Sequence, residues 1–517
     1  MFHFKQTTTK WNYFVLTCTR NPCDWRVRAK EIQDCGYYQI TEAHLQHSCG
    51  IETRQVFASK ASARVISDVY KAQFGDPVNG PRARDLQKLV LEDLRVNTSY
   101  MTCYRAKETA VNGVRGSDDD SYSKLPEYLY MLKLANPCSV ADLETETDEL
   151  GFIRFKYVFL SFAASILGFR RLRHIIVLDG THLTRKFKGV LLTACGQDAN
   201  FQVYPLAFGI VDSENDDAWI WFLTKLERIL ADSSNLSIIS DRHRSILTAV
   251  KHVYPRAHHG ACIVHLQRNV TSRFKNKSLS KLVGMAAFAY KVKRFRAIFA
   301  QINSTNAACA KYLHDIGIVT WARVHFKGDR YNLMTSNACE QLNKYLCEGR
   351  SSPILELLQF IQSMMTRWFS ARRKKSQRHK GIITPEVDKE MTLNLKRAKG
   401  SKINTISSWS LEIIGQFGKK NNVLLKDHKC TCMMYERLKI PCVHALMAAD
   451  CVGLPYGSLV ADCFKTKAWC DTYQAIISPE GDPKDVDIPD EVSYLVLLPP
   501  KTRRPSGRPK QVRYTST

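Results

Sequence analysis

The sequence has no long apolar run and no apolar leader. Its longest hydrophobic stretch, Tyr157 to Phe169, is interrupted by serines and is too short to cross a bilayer, so we expect no membrane partner. The first ten residues, MFHFKQTTTK, lack the apolar core of a secretory signal peptide. We therefore expect the protein to act in the cytosol or the nucleus.

Acidic residues are scarce relative to basic ones. Asp and Glu total 49 against 75 Lys and Arg, which gives a formal net charge of +26. Such a charge predicts a polyanionic partner and favours nucleic acid over an anionic membrane. The apolar fraction of 44% and the charged fraction of 24% are those of folded proteins, and 517 residues suffice for about three domains.

The cysteines do not have the pattern of a disulfide framework. There are 17 of them, an odd number, and several lie in short-spaced pairs with histidine, which indicates reduced thiols and zinc. The clearest set is CTC followed, after nine residues, by CVH at the start of a predicted helix. Tetrahedral zinc takes such ligands. This C-terminal zinc site comprises Cys430, Cys432, Cys442 and His444.

The first fifty residues hold a second candidate zinc site. Two ligand pairs are joined by short predicted strands, and zinc binding can supply ~10–16 kcal/mol toward the folding of so small a unit. The alternative is a pair of core cysteines and a surface histidine, and Cys35 and His44 are competing ligands. Trp25 is predicted to pack rather than to stack on bases. The ligands of this N-terminal site are Cys18, Cys23, His47 and Cys49.

Between residues 61 and 111 the apolar periodicity predicts three amphipathic helices separated by tight turns. Asn97 or Thr98 is the predicted N-cap of the third helix, which carries Arg105 and Lys107. Helix, tight turn and helix with basic residues is consistent with a helix-turn-helix that binds DNA. A plain three-helix packing unit fits the spacing equally well.

Two buried strands are each predicted to end in an aspartate. The stretch from His174 to Val211 reads as three strands, the first of which ends at Asp179, and the strand from Leu236 to Ser240 is followed by Asp241. Adjacent strand ends share one crevice in an open α/β sheet. Two carboxylates placed side by side repel each other, and a divalent cation relieves that repulsion.

A third acid, Glu340, lies in the first turn of a helix with predicted caps at Thr335, Ser336 or Asn337. The three acids are separated by 62 and 99 residues. Residues 272–328 between the second and third acids are helical, basic and without strand pattern, which predicts an all-α insertion.

Three further motifs carry weaker signals. Cys262 and His265 form a CxxH pair that either binds a metal or shapes the floor of the acidic site. A helix ending in ARRKKSQRHK is a solvated face, a nuclear-import signal or a phosphate contact. The tail around Arg508 is Pro- and Arg-rich, is predicted to be disordered and resembles a minor-groove hook.

The chain resembles plant Mutator-like element (MULE) transposases over nearly its whole length. The resemblance lies in DGTHLTRKFKGVLLTACGQDANFQVYPLAFGIVDSENDDAWIWFL and then, in order, SDRHRSI, CIVHLQRN and MTSNACEQLN. The C-terminal CxC and CxH motifs are similar to a SWIM-type finger, and the N-terminal cysteines to a WRKY-like finger. His182, after DGT, departs from the apolar residue often found there.

The resemblance implies an α/β fold with a ribonuclease-H-like catalytic core, flanked by small N-terminal and C-terminal zinc-binding modules. It implies that Asp179, Asp241 and Glu340 are catalytic acids that hold two Mg²⁺ or Mn²⁺ ions for metal-dependent DNA cleavage and strand transfer. It implies double-stranded DNA as partner, homo-oligomers at paired element ends and a nuclear location. A domesticated DNA-binding transcription regulator with an idle catalytic domain is the alternative.

The predicted domain order follows from these motifs. It places the catalytic domain between two zinc modules, with the helical insertion at about residues 270–330. The predicted domains are a WRKY-like module (1–56), a helical segment (57–115), the MULE transposase domain (125–400), the SWIM finger (410–452) and a basic tail (495–517).

Overall fold

The computed structural model describes residues 4–501 apart from 11–12, 21, 33–36, 50–60, 75–80, 95, 116–117, 185, 348 and 399. Cys35 and Arg508, two of the predicted site residues, lie outside the described residues. The chain divides into two compact units, Met1–Asp120 and Ser121–Thr517.

Unit 1 begins with a four-stranded antiparallel sheet in which the strands pair in chain order. The two predicted strand segments are present, and Val15, Cys18 and Ala29 of the sheet are buried. The strands are β1 (Phe4–Lys10), β2 (Tyr13–Cys18), β3 (Arg26–Glu31) and β4 (Tyr38–His44).

The three predicted helices of unit 1 are present and share one hydrophobic core that includes Ile66, Leu86 and Cys103. The predicted cap of the third helix is wrong by one or two residues: the Ser99 hydroxyl accepts the Thr102 N–H at 3.0 Å and caps the helix. The helices are α1 (Ala63–Tyr70), followed by a 3-10 turn (Lys71–Phe74), α2 (Ala83–Leu94) and α3 (Tyr100–Arg115). A further helix, α4 (Asp118–Ser123), includes the last residues of unit 1 and the first of unit 2.

Unit 2 is built on a seven-stranded mixed sheet. The strands are β5 (Val140–Thr147), β6 (Ile153–Ser161), β7 (Ile175–His182), β8 (Val190–Gln197), β9 (Val203–Val211), β10 (Ser237–Ser240) and β11 (His258–Ala261). They pair in the order β11-β10-β7-β8-β9-β6-β5, with the first three mutually parallel and the remaining pairs antiparallel. The predicted strands from His174 to Val211 and the strand before Asp241 are confirmed, whereas β5 lies in a polar segment for which no strand was predicted.

Asp179 is not at the end of its strand, contrary to the prediction. Strand β7 continues to His182 because its second half stays paired with β8, where Asp179 faces Thr193 and His182 faces Val190. The short strand β10 pairs with β7 only as far as Val177. On the side that faces β10, the backbone pairing of β7 therefore ends just before Asp179.

Helices pack against this sheet through large apolar side chains. On β9, Gly209 has no side chain and Phe222 lies so close that an added Cβ would come within 2.6 Å of its ring. Phe222 belongs to the helix Asp216–Glu227, whose predicted core-facing side is confirmed because Trp219, Phe222 and Leu223 are fully buried. The helices up to this point are α5 (Leu125–Ala135), α6 (Ala163–Phe169), α7 (Asp216–Glu227) and α8 (Arg244–Val253).

The region between Asp241 and Glu340 is helical after β11 and has a hydrophobic core of its own, with Leu266, Val283, Phe295 and Trp321 buried together. Its helices, and the one that carries Glu340, are α9 (Ile263–Phe274), α10 (Lys277–Ala287), α11 (Val292–Thr305), α12 (Ala307–Asp315), α13 (Ile318–Trp321) and α14 (Asn337–Tyr345).

The C-terminal part of unit 2 places a small four-stranded sheet and two helices around the predicted zinc ligands. It holds α15 (Ile354–Arg378), α16 (Pro385–Lys396), β12 (Lys402–Ser407), β13 (Ser410–Ile414), β14 (Lys420–Leu424), β15 (Lys429–Cys430), α17 (Met434–Leu438), α18 (Val443–Val452), α19 (Thr466–Thr472) and α20 (Asp490–Ser493). Short 3-10 turns occur at Gly349–Ser351, Tyr456–Ser458, Asp462–Phe464 and Pro483–Asp485.

The predicted disordered tail starts too early. Leu497 is fully buried, and the backbone of Leu498 exchanges hydrogen bonds with Ile153 and Phe155 beside β6. The apolar run LVLL supplies the buried side chain of this segment, and the described part of the chain extends to Lys501. Among the described residues, every helix is too short or too polar to cross a membrane.

Candidate functional site

The sheet brings Asp179 and Asp241 to the same place. Ile239 of β10 pairs with Val177 of β7, so two residues further along both parallel strands Asp241 stands level with Asp179. Asp241 directly follows β10, where its Oδ1 accepts the His243 N–H at 2.9 Å. The register of two neighbouring strands thus sets the two carboxylates side by side.

Helix α14 brings Glu340 toward the two aspartates. The helix packs across β7 and β8, with the Cys339 thiol donating to the Val177 carbonyl at 3.1 Å. Asn343 Nδ2 donates to Asp179 Oδ2 at 2.9 Å. Because Glu340 lies in the first turn of the same helix, the contacts of its neighbours with Val177 and Asp179 hold it near the middle of β7.

The three acids repel one another. Burial raises the pKa of Asp179 to about 7, the charges of Asp241 and Glu340 add to the rise, and His265 opposes it. Within the described part of the chain, the Cys, His, Asp or Glu groups whose ligand atoms all lie within 4.8 Å of one another are the two Cys/His sets. The three carboxylates therefore do not all lie within 4.8 Å of one another, and they interact through their charges. Carboxylate oxygens are the ligands that Mg²⁺ and Mn²⁺ prefer.

The CxxH pair contacts the start of the Glu340 helix. The Ser336 N–H lies 3.1 Å from the Cys262 sulfur, and the Ser336 hydroxyl lies 3.3 Å from both His265 Nδ1 and Glu340 Oε1. His265 Nε2 is 4.0 Å from Glu340 Oε1. The motif thus connects β11 and α9 to the helix that carries the third acid.

The hydrogen bond between Cys262 and His265 shifts the pKa of both side chains. Burial acts to raise the pKa of the Cys262 thiol, but hydrogen bonds to His265 and Ser336 outweigh it and lower the pKa. The same contact with Cys262 raises the pKa of His265. A positive imidazole beside the acids would offset part of their repulsion.

Replacing Asp179 by asparagine should stabilise the metal-free protein at about pH 8. The folded-state pKa of about 7 exceeds the ordinary 3.8, so ionisation costs stability that is retained below pH 4 and lost above pH 7. That rise corresponds to about 4 kcal/mol, of which asparagine, itself partly buried, should recover about 2 kcal/mol. Thermal unfolding at pH 5 and pH 8 measures the gain, which should be clearly larger at pH 8, because only about a third of the stability is lost by pH 5.

The exposed Asp217 provides the matched control, because Asp217→Asn removes an acid without relieving the cluster. A gain for Asp179→Asn that is equal at both pH values would contradict the assigned repulsion.

The C-terminal cysteine and histidine ligands converge on one point. Cys430 and Cys442 place their sulfurs 3.6 and 3.8 Å from His444 Nδ1, while Asn421 lies 3.2 Å from the other ring nitrogen. This contact with Asn421 orients the ring with Nδ1 toward the sulfurs. This geometry suits structural zinc held by Cys430, Cys432, Cys442 and His444.

The N-terminal ligands converge in the same way. Cys23 lies 3.4 Å from His47 Nδ1, and the Trp25 ring stacks on His47 at 5.3 Å, so Trp25 is a packing residue as predicted. The competing ligand His44 is instead exposed and within 3.3 Å of Glu42. The set that meets within 4.8 Å is Cys18, Cys23, His47 and Cys49.

The predicted DNA contacts of α3 lie on different sides of the helix. Arg105 is exposed and points away from the three-helix core, whereas Lys107 is half-buried. Two residues apart on a helix means about 200° of rotation, so one DNA groove would meet them at different angles. Arg105 is the better placed of the two.

Several residues near the acids were missed in the sequence. Asn343 contacts Asp179, and Arg350 donates to the hydroxyl of Thr181, two residues beyond Asp179 on the same side of β7. For Ser336 the sequence predicts only a helix cap. Asn343 follows Glu340 by three residues, and that helical spacing was the available signal.

Two segments of the chain match known protein families. Residues 175–269 match the MULE transposase domain, and residues 420–453 match the SWIM zinc finger. The chain is 20% identical over 317 residues to Protein FAR1-RELATED SEQUENCE 6 of Arabidopsis thaliana, a match that covers 59% of this chain and 41% of that protein.

The chain is also 21% identical over 236 residues to the transposase for insertion sequence element IS905 of Lactococcus lactis, which covers 40% of this chain and 56% of that transposase. The matches thus span about half the length of these relatives. Asp179 and Asp241 lie inside the first matched segment, and the four C-terminal zinc ligands lie inside the second. The chain therefore contains a MULE transposase domain followed by a C-terminal SWIM zinc finger.

Proposed function

We propose that this protein is a DNA transposase that binds element ends and catalyses metal-dependent strand cleavage and strand transfer. The observation that carries the proposal is the approach of three acids from β7, the end of β10 and α14. Burial, reinforced by the charges of Asp241 and Glu340, raises the pKa of Asp179 there to about 7. Partly buried acids that repel one another are stabilised by a cation, and such clusters are concentrated at functional sites.

The proposal includes a ribonuclease-H-like core. Three antiparallel strands, β7 to β9, are followed by β10 and β11 added in parallel on the far side of β7, which supports that assignment. The first acid lies in β7 and the second directly follows the adjacent strand β10, and the helical insertion separates the second acid from the third. The strand order and the positions of the acids both support the proposed ribonuclease-H-like core.

Two divalent cations, Mg²⁺ or Mn²⁺, would activate a water or a DNA 3′-hydroxyl and stabilise the leaving oxygen. Asp179, Asp241 and Glu340 would hold them, since hard oxygen donors suit these ions. Asn343 holds one Asp179 oxygen in place, and Ser336 holds Glu340. Cys262 and His265 serve as positioning residues, because their contacts fix the start of α14.

Binding would rest on charge and on the two zinc modules. The chain has 75 basic and only 49 acidic residues, and this positive charge favours binding to duplex DNA. The proposed nuclear location follows from the basic end of α15. Arg105 and the N-terminal finger belong to unit 1, which we propose recognises terminal repeats. Paired element ends would require a homo-oligomer.

A domesticated DNA-binding regulator is the second candidate. The similarity to a FAR1-related protein favours it, since that match covers 59% of this chain and the match to the bacterial transposase covers 40%. A catalytically idle site has no physical reason to keep three adjacent acids, so these acids favour the transposase over the regulator.

The deciding experiment is nicking and strand joining on terminal-repeat DNA with Mg²⁺ or Mn²⁺. We expect the wild type to produce a nick and then a joined product, and Asp179→Ala to produce neither while still binding the DNA. Equal inertness of both proteins, with DNA binding intact, would give the regulator the stronger claim.

A further inference from the structure

An aromatic groove lies one helical turn from Glu340. It has a volume of about 740 Å³ and runs between α14 and α15. Lys344 follows Glu340 by four residues on the same side of α14, about 6 Å along the axis. The groove is lined by Gln341, Lys344, Tyr345, Phe360, Met364, Arg367, Trp368 and Ala371.

The walls of the groove are ring surfaces. Tyr345 is 59% exposed, and its ring meets Trp368 edge to face at 4.9 Å. Arg372 covers the indole from inside at 4.6 Å and holds it in place. The floor is apolar, with Phe360 half-buried and Met364 buried. Large flat faces of this kind stack on nucleobases with little preference for sequence.

The rim is cationic and continues along α15. Among the described residues, neither Lys344 nor Arg367 forms an ion pair. Arg367, Lys374 and Arg378 are exposed, and their spacing of seven and four residues puts them on one side of the helix. A stripe of unpaired cations beside an aromatic groove matches a nucleic-acid strand, whose bases are flat and whose backbone is anionic.

We infer that this groove binds an unpaired DNA nucleotide next to the strand that is cut. The base lies against Tyr345 and Trp368, and the phosphates follow Arg367, Lys374 and Arg378. The inference rests on the proposed function, which supplies DNA at Glu340, and it adds a single-stranded subsite to it. A duplex alone does not explain the rings, because paired bases present no free face.

The test uses the full-length, zinc-loaded protein and two probes. One is a short thymidine-rich single strand that contains 2-aminopurine, and the other is a blunt duplex of the same length. We expect Tyr345→Ala to weaken single-strand binding about tenfold and to abolish part of the 2-aminopurine quenching. Duplex affinity should stay unchanged, and Tyr345→Trp should bind the single strand as the wild type does.

The matched control is Tyr494→Ala, since Tyr494 is 79% exposed elsewhere in the same unit. It should bind both probes like the wild type. Equal affinity of Tyr345→Ala and wild type for the single strand would overturn the inference, as would an equal loss on both probes. A change in sedimentation without a change in DNA affinity would assign the groove to a second copy of the chain and also overturn it.

The basic stripe has its own readout. Replacing Arg367, Lys374 and Arg378 by glutamine should reduce the salt slope of single-strand binding by about 2, because each phosphate contact on a single strand contributes about 0.7. These binding measurements do not depend on catalysis. If nicking fails while the Tyr345 effect persists, the proposed reaction is wrong and the subsite stands; the reverse result removes the subsite alone.

Discussion

Replacing any one of Asp179, Asp241 and Glu340 by alanine is expected to lower the rate of metal-dependent DNA nicking by at least about 10³-fold. The three side chains come from β7, β10 and α14 and interact through their charges, so they act as one site. Removal of one acid therefore removes most of the capacity to hold the cations. A second substitution should lower the rate little further, because residues that act as a unit are strongly non-additive.

The nicking rates of the single and double variants measure this directly. Asp217→Ala is the control, since Asp217 is an exposed acid at the start of α7. It should nick at the wild-type rate. Losses that add up across Asp179 and Glu340 would contradict a shared site, and wild-type activity in Asp179→Ala would remove it altogether.

Replacing Cys442 by serine is expected to remove the C-terminal zinc and unfold the SWIM finger. Cys430, Cys432 and Cys442 are part of the buried cluster of this finger, so the metal and the small core depend on each other. Structural zinc can supply about 10–16 kcal/mol to a unit of this kind. Zinc per chain, measured by mass spectrometry, should fall by half, and limited proteolysis should cut residues 402–452.

Cys451→Ser is the matched control for that variant. Cys451 is exposed and lies on the same helix, α18, outside the ligand set. It should keep its zinc and its resistance to protease. Unchanged zinc content in Cys442→Ser would mean that the four residues do not form a metal site.

The sequence predicted functional residues best where they lie close together along the chain. The CxC and CxH spacing predicted a ligand set that the fold does gather, because chain proximity leaves little freedom. The shared crevice of Asp179 and Asp241 was predictable from buried strands. The end of β7 was not, since pairing with β8 carries the strand through Gly180 and Thr181, residues that read as a turn.

Contacts between distant segments could not be predicted. Asn343 reaches Asp179 across 164 residues of sequence, and Ser336 meets Cys262 across 74. The groove between α14 and α15 depends on how two helices cross, which no local periodicity encodes. Leu497 shows the same limit, because its burial beside β6 is set by a strand more than three hundred residues earlier.

The most direct test of the central claim is a Mn²⁺ titration of the zinc-loaded protein near pH 8, followed by electron paramagnetic resonance. It needs no knowledge of the recognised DNA sequence. We predict that the wild type binds Mn²⁺ that Asp179→Asn does not, because Asp179 would supply a charged oxygen ligand that asparagine lacks. Equal Mn²⁺ binding by the two proteins would contradict the assignment of these acids as a metal site.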